Sequence, residues 1–265
     1  MEMQINRFKQ RLLAGDTQYG LWLGLSDTFS AEICAGAGFD WLLIDAEHGP
    51  NDLRTILPQL QAIAPYSSQP VVRPPQGDHV LIKQLLETGV QTLLIPMVDT
   101  AEQAQGLVEA MLYPPHGIRG VGSILARASR WGRIGDYMDQ ANGQMCLLVQ
   151  VETAKGFDNL DAILAVPGVD GIFFGAADLA ASVGYLGQSN HPDVVAMIED
   201  GLRRVAVGGK AGGVLCGEKA YAERYRQAGA RFIAVGVDTL LLSAATSALC
   251  AEYKPSDGSA IRRSY

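Results

Sequence analysis

The residues able to do chemistry in this chain fall at the ends of apolar, β-branched runs. WLLID (41–45) leads into Asp45-Ala-Glu47-His48, and PVVR (70–73) ends in Arg73. MCLLVQVE (145–152) ends in Gln150-Val-Glu152, and GIFFG (171–175) runs on into Asp178. Gln150 and Glu152 are two apart, so on a strand they project from one face. If Leu148 fills the interior, both point inward. An inward carboxylate at the end of an apolar strand is costly unless a cation compensates it. Asp178 could supply a second oxygen. Two carboxylates from adjacent strands, with positions left for water, suit Mg²⁺, Mn²⁺ or Co²⁺ rather than structural zinc. An ion pair between Glu152 and Arg73 or a Lys is the competing reading.

His48 follows Asp45 by three residues at the start of a loop. That spacing allows an Asp–His pair in which the carboxylate orients the ring and raises its basicity. A cap or surface histidine is the plain alternative, weighed against three carboxylates on the same rim. Arg73 could clamp a carboxylate or stabilise an oxyanion, or simply neutralise Asp45 or Glu47. His79 and His191 sit beside helix starts, and His116 lies in a Gly- and Arg-rich stretch. The glycines of GIRGVG neither follow a strand nor open a helix, so they are a weak phosphate-cradle signal.

These groups need a scaffold that brings strand ends together. Beside the four runs above stand GLWLGL (20–25), TLLIPMV (92–98), GGVLC (212–216) and FIAVGV (232–237). Helical patterns separate all eight, with Pro192 suited to a first helical position and Gly38, Gly89 and Gly229 suited to left-handed C-caps. Eight strand–helix units with nearly continuous hydrophobic strands read as an α/β fold, a single-domain (β/α)8 TIM barrel over residues 1–253. An open doubly wound sheet is less consistent, because SDTFSAE follows the first strand where GxGxxG is usual. The first residues, MEMQINRFKQRLLAGD, read as a short surface helix. Residues 114–144 form a long insertion, and 254–265 a polar C-terminal tail.

Composition narrows the partners. With 21 basic and 28 acidic residues the formal charge is −7, which argues against nucleic acid or an anionic membrane surface. No apolar run is long enough to cross a bilayer, and no signal peptide opens the chain. Thirty glycines suggest frequent turns. Cys34, Cys146, Cys216 and Cys250 are widely spaced, with no CxxC or Cys/His cluster. Reduced core thiols in a cytoplasmic protein are expected.

Taken in order, WLLIDAEHGP, PVVRP, QTLLIPMV, YPPHGIRGVG, QVET and FFGAADLA give the chain its resemblance. It resembles the metal-dependent (class II) pyruvate aldolases typified by 4-hydroxy-2-oxoheptane-1,7-dioate aldolase, and the related 2-keto-3-deoxyglucarate aldolases, over essentially its whole length. The resemblance implies that Glu152 and Asp178 hold one divalent metal ion and that no organic cofactor is used. Gln150, Asp178 and the backbone at Ala177 would contact the pyruvyl part. His48 would act as base and Arg73 would stabilise the enolate. It further implies a homohexamer and a place in the catabolism of aromatic compounds.

Two positions depart from the family. An acidic residue at the end of the third barrel helix supports the histidine; here it is Glu87, where relatives carry Asp. A helix end points to the bottom of its own barrel, so Glu87 could act only across a subunit interface, and Asp45 is its local competitor. The family's Gly-Pro-Ala-Asp-Leu-Ser reads GAADLA, and alanine at 176 should loosen the loop carrying Asp178.

The expected reaction is reversible cleavage of a 4-hydroxy-2-oxo acid, with 4-hydroxy-2-oxoheptane-1,7-dioate as the expected substrate, to pyruvate and an aldehyde such as succinic semialdehyde. A 2-keto-3-deoxyglucarate or broad hydroxyketoacid aldolase, with hydroxypyruvate as a possible donor, is the alternative. A citramalyl-CoA-type lyase on the same barrel is another rival, but no basic patch suits coenzyme A. A Schiff-base route lacks its lysine, because Lys83, Lys155, Lys210, Lys219 and Lys254 fall in helices or loops. An oxo-acid sensor would need an output module. Trp22, Leu215 and the insertion near Val121 are candidates to select the aldehyde, a purely core role for Trp22 and Leu215 being as plausible. Arg119, Arg127 and Arg130 could meet its far carboxylate.

Overall fold

The computed structural model describes residues 1–254; residues 255–265, most of the expected polar tail, lie outside it. Eight parallel strands close into a barrel in sequence order, with β8 pairing β1. The strands are β1 (Gln18–Leu23), β2 (Trp41–Asp45), β3 (Gln69–Arg73), β4 (Thr92–Ile95), β5 (Cys146–Val151), β6 (Val169–Phe174), β7 (Ala211–Leu215) and β8 (Ala230–Val237). The helices are α1 (Arg7–Leu13), α2 (Thr28–Gly36), α3 (Leu53–Ile63), α4 (His79–Glu87), α5 (Ala101–Met111), α6 (Tyr137–Gln144), α7 (Ala154–Asp158), α8 (Leu160–Leu164), α9 (Ala176–Ser182), α10 (Pro192–Val207), α11 (Lys219–Ala228) and α12 (Asp238–Tyr253). The (β/α)8 expectation is met.

Alternation along each strand makes two cores. Leu147, Val149 and Val151 face the helices, while Leu148 joins Trp22, Trp41, Leu43, Val71, Leu94, Phe173 and Phe232 in the lumen. Counting two residues onward from Leu43, Val71 and Leu148 reaches Asp45, Arg73 and Gln150. The polar rim is therefore the next layer of the lumen. Below it the lumen is aromatic, and some of the abundant glycines serve there rather than in turns. A Cβ at Gly20 would collide with the Trp41 ring, and one at Gly213 with Phe232.

Several expectations need correction. The N-terminal helix is a plug, not a surface element. Phe8 is fully buried, its ring 5.9 Å from both Trp41 and Phe232, and Lys9 Nζ donates to Met145 O at 2.6 Å. Of the thiols, only Cys146 is buried; Cys250 is exposed. The 92–98 run stops as a strand at Ile95, because Pro96 has no N–H to donate and Met97 is left-handed at φ 56°. The pattern FDNLDAILAV breaks at Asn159 into α7 and α8.

The insertion holds two 3₁₀ turns and α6. On α12 only Asp238 is buried, and Leu240, Leu241, Leu242 and Leu249 are exposed. Among the described residues no helix is long and apolar enough to cross a membrane.

Candidate active site

Asp45 and Arg73 are register partners on β2 and β3, and the guanidinium grips the carboxylate as a fork. Nε donates to Oδ1 at 2.8 Å and Nη2 to Oδ2 at 2.7 Å. Trp22 Nε1 adds a 3.2 Å bond to Asp45 Oδ2, and its ring lies 5.0 Å beneath Arg73. Burial pushes the Asp45 carboxyl up, but Arg73, the Glu47 N–H and Trp22 outweigh it and hold it below the usual range.

Asp45 is thus committed to Arg73, and the expected Asp45–His48 side-chain pair does not form. Only the His48 backbone N–H approaches Asp45, at 3.5 Å, and the ring is 68% exposed. Among the described residues its one acidic neighbour is Glu47, 3.8 Å from Nε2.

Glu152 and Gln150 are almost wholly buried on the inward face of β5. Gln150 Oε1 accepts from Arg73 Nη1 at 3.5 Å, while its Nε2 donates to Glu152 Oε2. Glu152 Oε1 accepts the backbone N–H of Met97 at 2.8 Å. That bond is delivered by a left-handed, non-glycine backbone, a strained conformation kept where the surroundings over-determine it. Thr153 locks the same loop by donating to Asp99 Oδ1 at 2.5 Å.

Gly175 leaves the room Glu152 needs. A Cβ there would collide with Glu152 Oε2 and lie 2.8 Å from its Cβ.

Three carboxylates share this space with one committed cation. Burial, with Glu47 and Asp178 nearby, pushes the Glu152 carboxyl up to about 7 against the help of Met97 and Gln150. Glu47 is also raised, by burial first, despite Arg73. Its Oε2 lies 2.7 Å from Arg73 Nη1, but at an angle that makes no hydrogen bond, so the buried oxygen lacks a partner.

This excess of buried negative charge is what a divalent ion relieves, and all-oxygen donors suit a hard cation. Among the described residues no three His, Cys, Asp or Glu gather into a metal site by themselves. Glu152 and Asp178, the pair expected to hold such an ion, are both oxygen donors, Glu152 buried and Asp178 exposed. Among the described residues no strand carries a lysine.

The other expected residues are placed as follows. Asp178 and Ala177 are exposed in the first turn of α9, so the segment expected to be a loop is helical. Ala176 holds the first helical position, where proline only pre-sets φ, and alanine there costs little. Leu215 is half-buried at the rim end of β7, against the lumen cluster. Trp22 is 5% exposed, beneath Arg73 rather than on the rim.

Glu87 ends α4 away from the rim, 2.9 Å from Arg119 Nη2. Arg119 is fully buried and cannot reach a substrate carboxylate. Arg127 donates to Thr88 O at 2.6 Å.

Glu47, Met97 and Gly175 are site residues that spacing did not single out for a role. Glu47 carried a signal, its place between Asp45 and His48. Nothing in the letter Met marks a left-handed residue, and Gly175 shows its role only once Glu152 stands beside it.

A family model described as HpcH/HpaI aldolase/citrate lyase matches residues 18–245. The hydroxypyruvate/pyruvate aldolase of Pseudomonas aeruginosa is 58% identical over 96% of this chain and 95% of its own length. The 4-hydroxy-2-oxo-heptane-1,7-dioate aldolase of Escherichia coli is 59% identical over 94% and 95%. A crystal structure of a family protein from Burkholderia cenocepacia superposes with a TM-score of 0.89 at 43% identity, covering 94% of this chain and 100% of that one.

Proposed function

The chain belongs to the HpcH/HpaI aldolase/citrate lyase family, and we propose that it cleaves 4-hydroxy-2-oxo acids reversibly to pyruvate and an aldehyde with one divalent metal ion held by Glu152 and Asp178. Aldolase chemistry, the work of a carbon–carbon lyase, is the established level. The metal (Mg²⁺, Mn²⁺ or Co²⁺), the substrate and the residue roles are the proposal. The observation that carries it is Glu152, inward-facing, 2% exposed and raised to about 7 among acidic neighbours. Such a group is costly in a barrel lumen unless a cation joins it.

When bound, the ion supplies positive charge to the ketone and carboxylate oxygens of the 2-oxo acid. His48, the exposed base on the rim, takes the proton from the C4 hydroxyl, directly or through water. The O–H electron pair becomes the aldehyde C=O, the C3–C4 bond breaks, and its pair leaves with C3 as the pyruvate enolate. Arg73 holds still while that charge develops. Asp45 and Gln150 accept from three of its five N–H groups, which leaves one on Nη1, beside Glu47, and one on Nη2 for the enolate oxygen. Protonation at C3 yields pyruvate.

Gln150 and the backbone at Ala177 hold the pyruvyl carboxylate. Trp22 supports the site from beneath, and Leu215 borders the aldehyde.

Among the described residues His48 has no well-placed acid of its own chain, and Glu87 is an acid far from its own rim. We assign Glu87 to His48 of a second copy in a homo-oligomer, hexameric in the family's manner. Glu87 lines an open depression of about 720 Å³ with Leu53, Leu57, Val121, Leu125 and Trp131. The last three are exposed apolar residues that such a neighbour would cover. Small 2-oxo acids and aldehydes are then the only other partners, and the cytoplasm is the expected compartment.

Hydroxypyruvate as donor is the second reading, favoured by the Pseudomonas aeruginosa relative, whose identity nearly equals that of the Escherichia coli one. Pyruvate release from 4-hydroxy-2-oxoheptane-1,7-dioate and from an analogue lacking the far carboxylate, coupled to lactate dehydrogenase, tests the first. Aldol addition of hydroxypyruvate to a common aldehyde tests the second. Strong preference for the dicarboxylate supports the first reading; faster addition with hydroxypyruvate overturns it in favour of the second.

A further inference from the structure

Outside the rim, a buried polar cluster is built around Arg119. The YPPHGIRG segment folds back on the end of α5, with Ile118 N–H donating to Glu109 O at 2.8 Å and Arg119 N–H to Leu112 O at 2.9 Å. The approach is so close that a Cβ at Gly117 would lie 2.8 Å from the Leu112 Cβ. This places the guanidinium 4.3 Å over the Tyr113 ring and 6.0 Å from that of Tyr137. Nη2 bonds the Tyr137 hydroxyl at 3.2 Å, and Nη1 meets Met145 Sδ at 3.7 Å. Tyr113, Tyr137, Met145 and Glu87 thus converge on one cation with no solvent exposure of its side chain.

A buried guanidinium ordinarily takes a carboxylate as a fork, as Arg73 takes Asp45. Arg119 does not. Among the described residues Glu87 is the one carboxylate within ion-pair distance, and it is held through Oε1 alone. Glu87 Oε2 and Arg119 Nε are both buried and have no hydrogen-bond partner. Unpaired buried polar atoms are costly, so an arrangement selected for stability alone would close the second bond. What this one achieves is a partly exposed carboxylate held through Oε1 alone, with Oε2 covered in the single chain, beside the depression where a neighbour's side chain would enter.

We propose that Arg119 is a positioning residue, fixing Glu87 at the edge of the depression so that its carboxylate accepts a hydrogen bond from the catalytic histidine of a second copy. This rests on the assignment of Glu87 to His48 and adds the device that orients it. Arg119 touches neither substrate nor metal; it acts through Glu87. The insertion, on this account, is the clamp that aims the acid.

The test is retro-aldol kinetics of the full-length enzyme with Arg119→Met, Arg119→Lys, Glu87→Gln and the double variant Arg119→Met/Glu87→Gln, with thermal melting and light scattering to follow fold and assembly. Loss of an orienting outer partner is expected to lower kcat roughly 10–100-fold with KM little changed. Arg119→Met and Glu87→Gln should each do so, Arg119→Lys should recover part of the loss, and the double variant should be no slower than the worse single one. The double variant leaves no uncompensated buried charge and should fold even if Arg119→Met does not; Arg119→Lys then supplies the single-site comparison. Wild-type kcat in a folded Arg119→Met, or losses that multiply in the double variant, overturn the proposal. Wild-type kcat in Glu87→Gln removes the assignment of Glu87 itself, and the role of Arg119 with it.

Discussion

Asp45 and Arg73, directly opposite on neighbouring strands, form a two-bond ion pair of 2.8 and 2.7 Å at the mouth of the barrel. Its consequence is that the guanidinium proposed to serve the enolate is held in place before substrate arrives. Asp45→Asn leaves a buried guanidinium with only Glu47 to balance it. The expected cost is ~3–5 kcal/mol in chemical unfolding and about 10²-fold in kcat/KM. Arg73→Lys should lose as much activity, because an ammonium cannot form the fork. Asp45 is ionised below its ordinary range, so the pair's contribution persists above about pH 4 and is lost only as pH falls further.

Glu152 titrates in the opposite sense. Its carboxyl stands near 7 in the metal-free protein against an ordinary 4.5, so the folded state holds a proton that the unfolded chain has given up. Stability of the metal-free protein should therefore fall as pH rises from about 4.5 to about 7, by up to ~3 kcal/mol. Melting temperatures across this window should decline for the wild type and stay flatter for Glu152→Gln. A divalent ion should reverse the order at pH 8 by stabilising the wild type alone.

Gly175→Ala places a methyl group against Glu152. The barrel should survive with a cost of about 1–3 kcal/mol, but Glu152, the proposed metal ligand, must turn aside. Titration calorimetry with Mn²⁺ should show weakened binding, with activity partly restored at high metal concentration.

The barrel was legible because its strands are buried on both sides and read as unbroken apolar runs. The rim was legible because polar residues terminating such runs have few structural uses. Pairing was harder to read. Asp45 stands three residues from His48 but directly opposite Arg73, and register between strands does not show in spacing along one strand. The plug helix was missed because Phe8 and Leu12 are a thin apolar signal among charged neighbours. Arg119 was read as a free cation because only the folded insertion shows it enclosed by Tyr113, Tyr137 and Glu87.

Assembly of the site across two copies makes a prediction of its own. Chains carrying His48→Ala and chains carrying Glu87→Gln, each impaired alone, should recover activity when dissociated and reassembled together. About a quarter of wild-type activity is expected, the share of interfaces that random pairing leaves with both groups intact. No recovery in a correctly reassembled mixture would confine both residues to roles within one chain.

The central claim is a divalent ion on Glu152 and Asp178, and the most direct measurement is pyruvate release from a racemic 4-hydroxy-2-oxo acid. It is run after chelation, then with Mg²⁺, Mn²⁺ or Co²⁺ restored, beside Glu152→Ala. The expected result is activity abolished by the chelator, restored by metal in the wild type and absent from the variant throughout. Full turnover in the presence of chelator, or a substrate adduct trapped on the protein by borohydride, would contradict it.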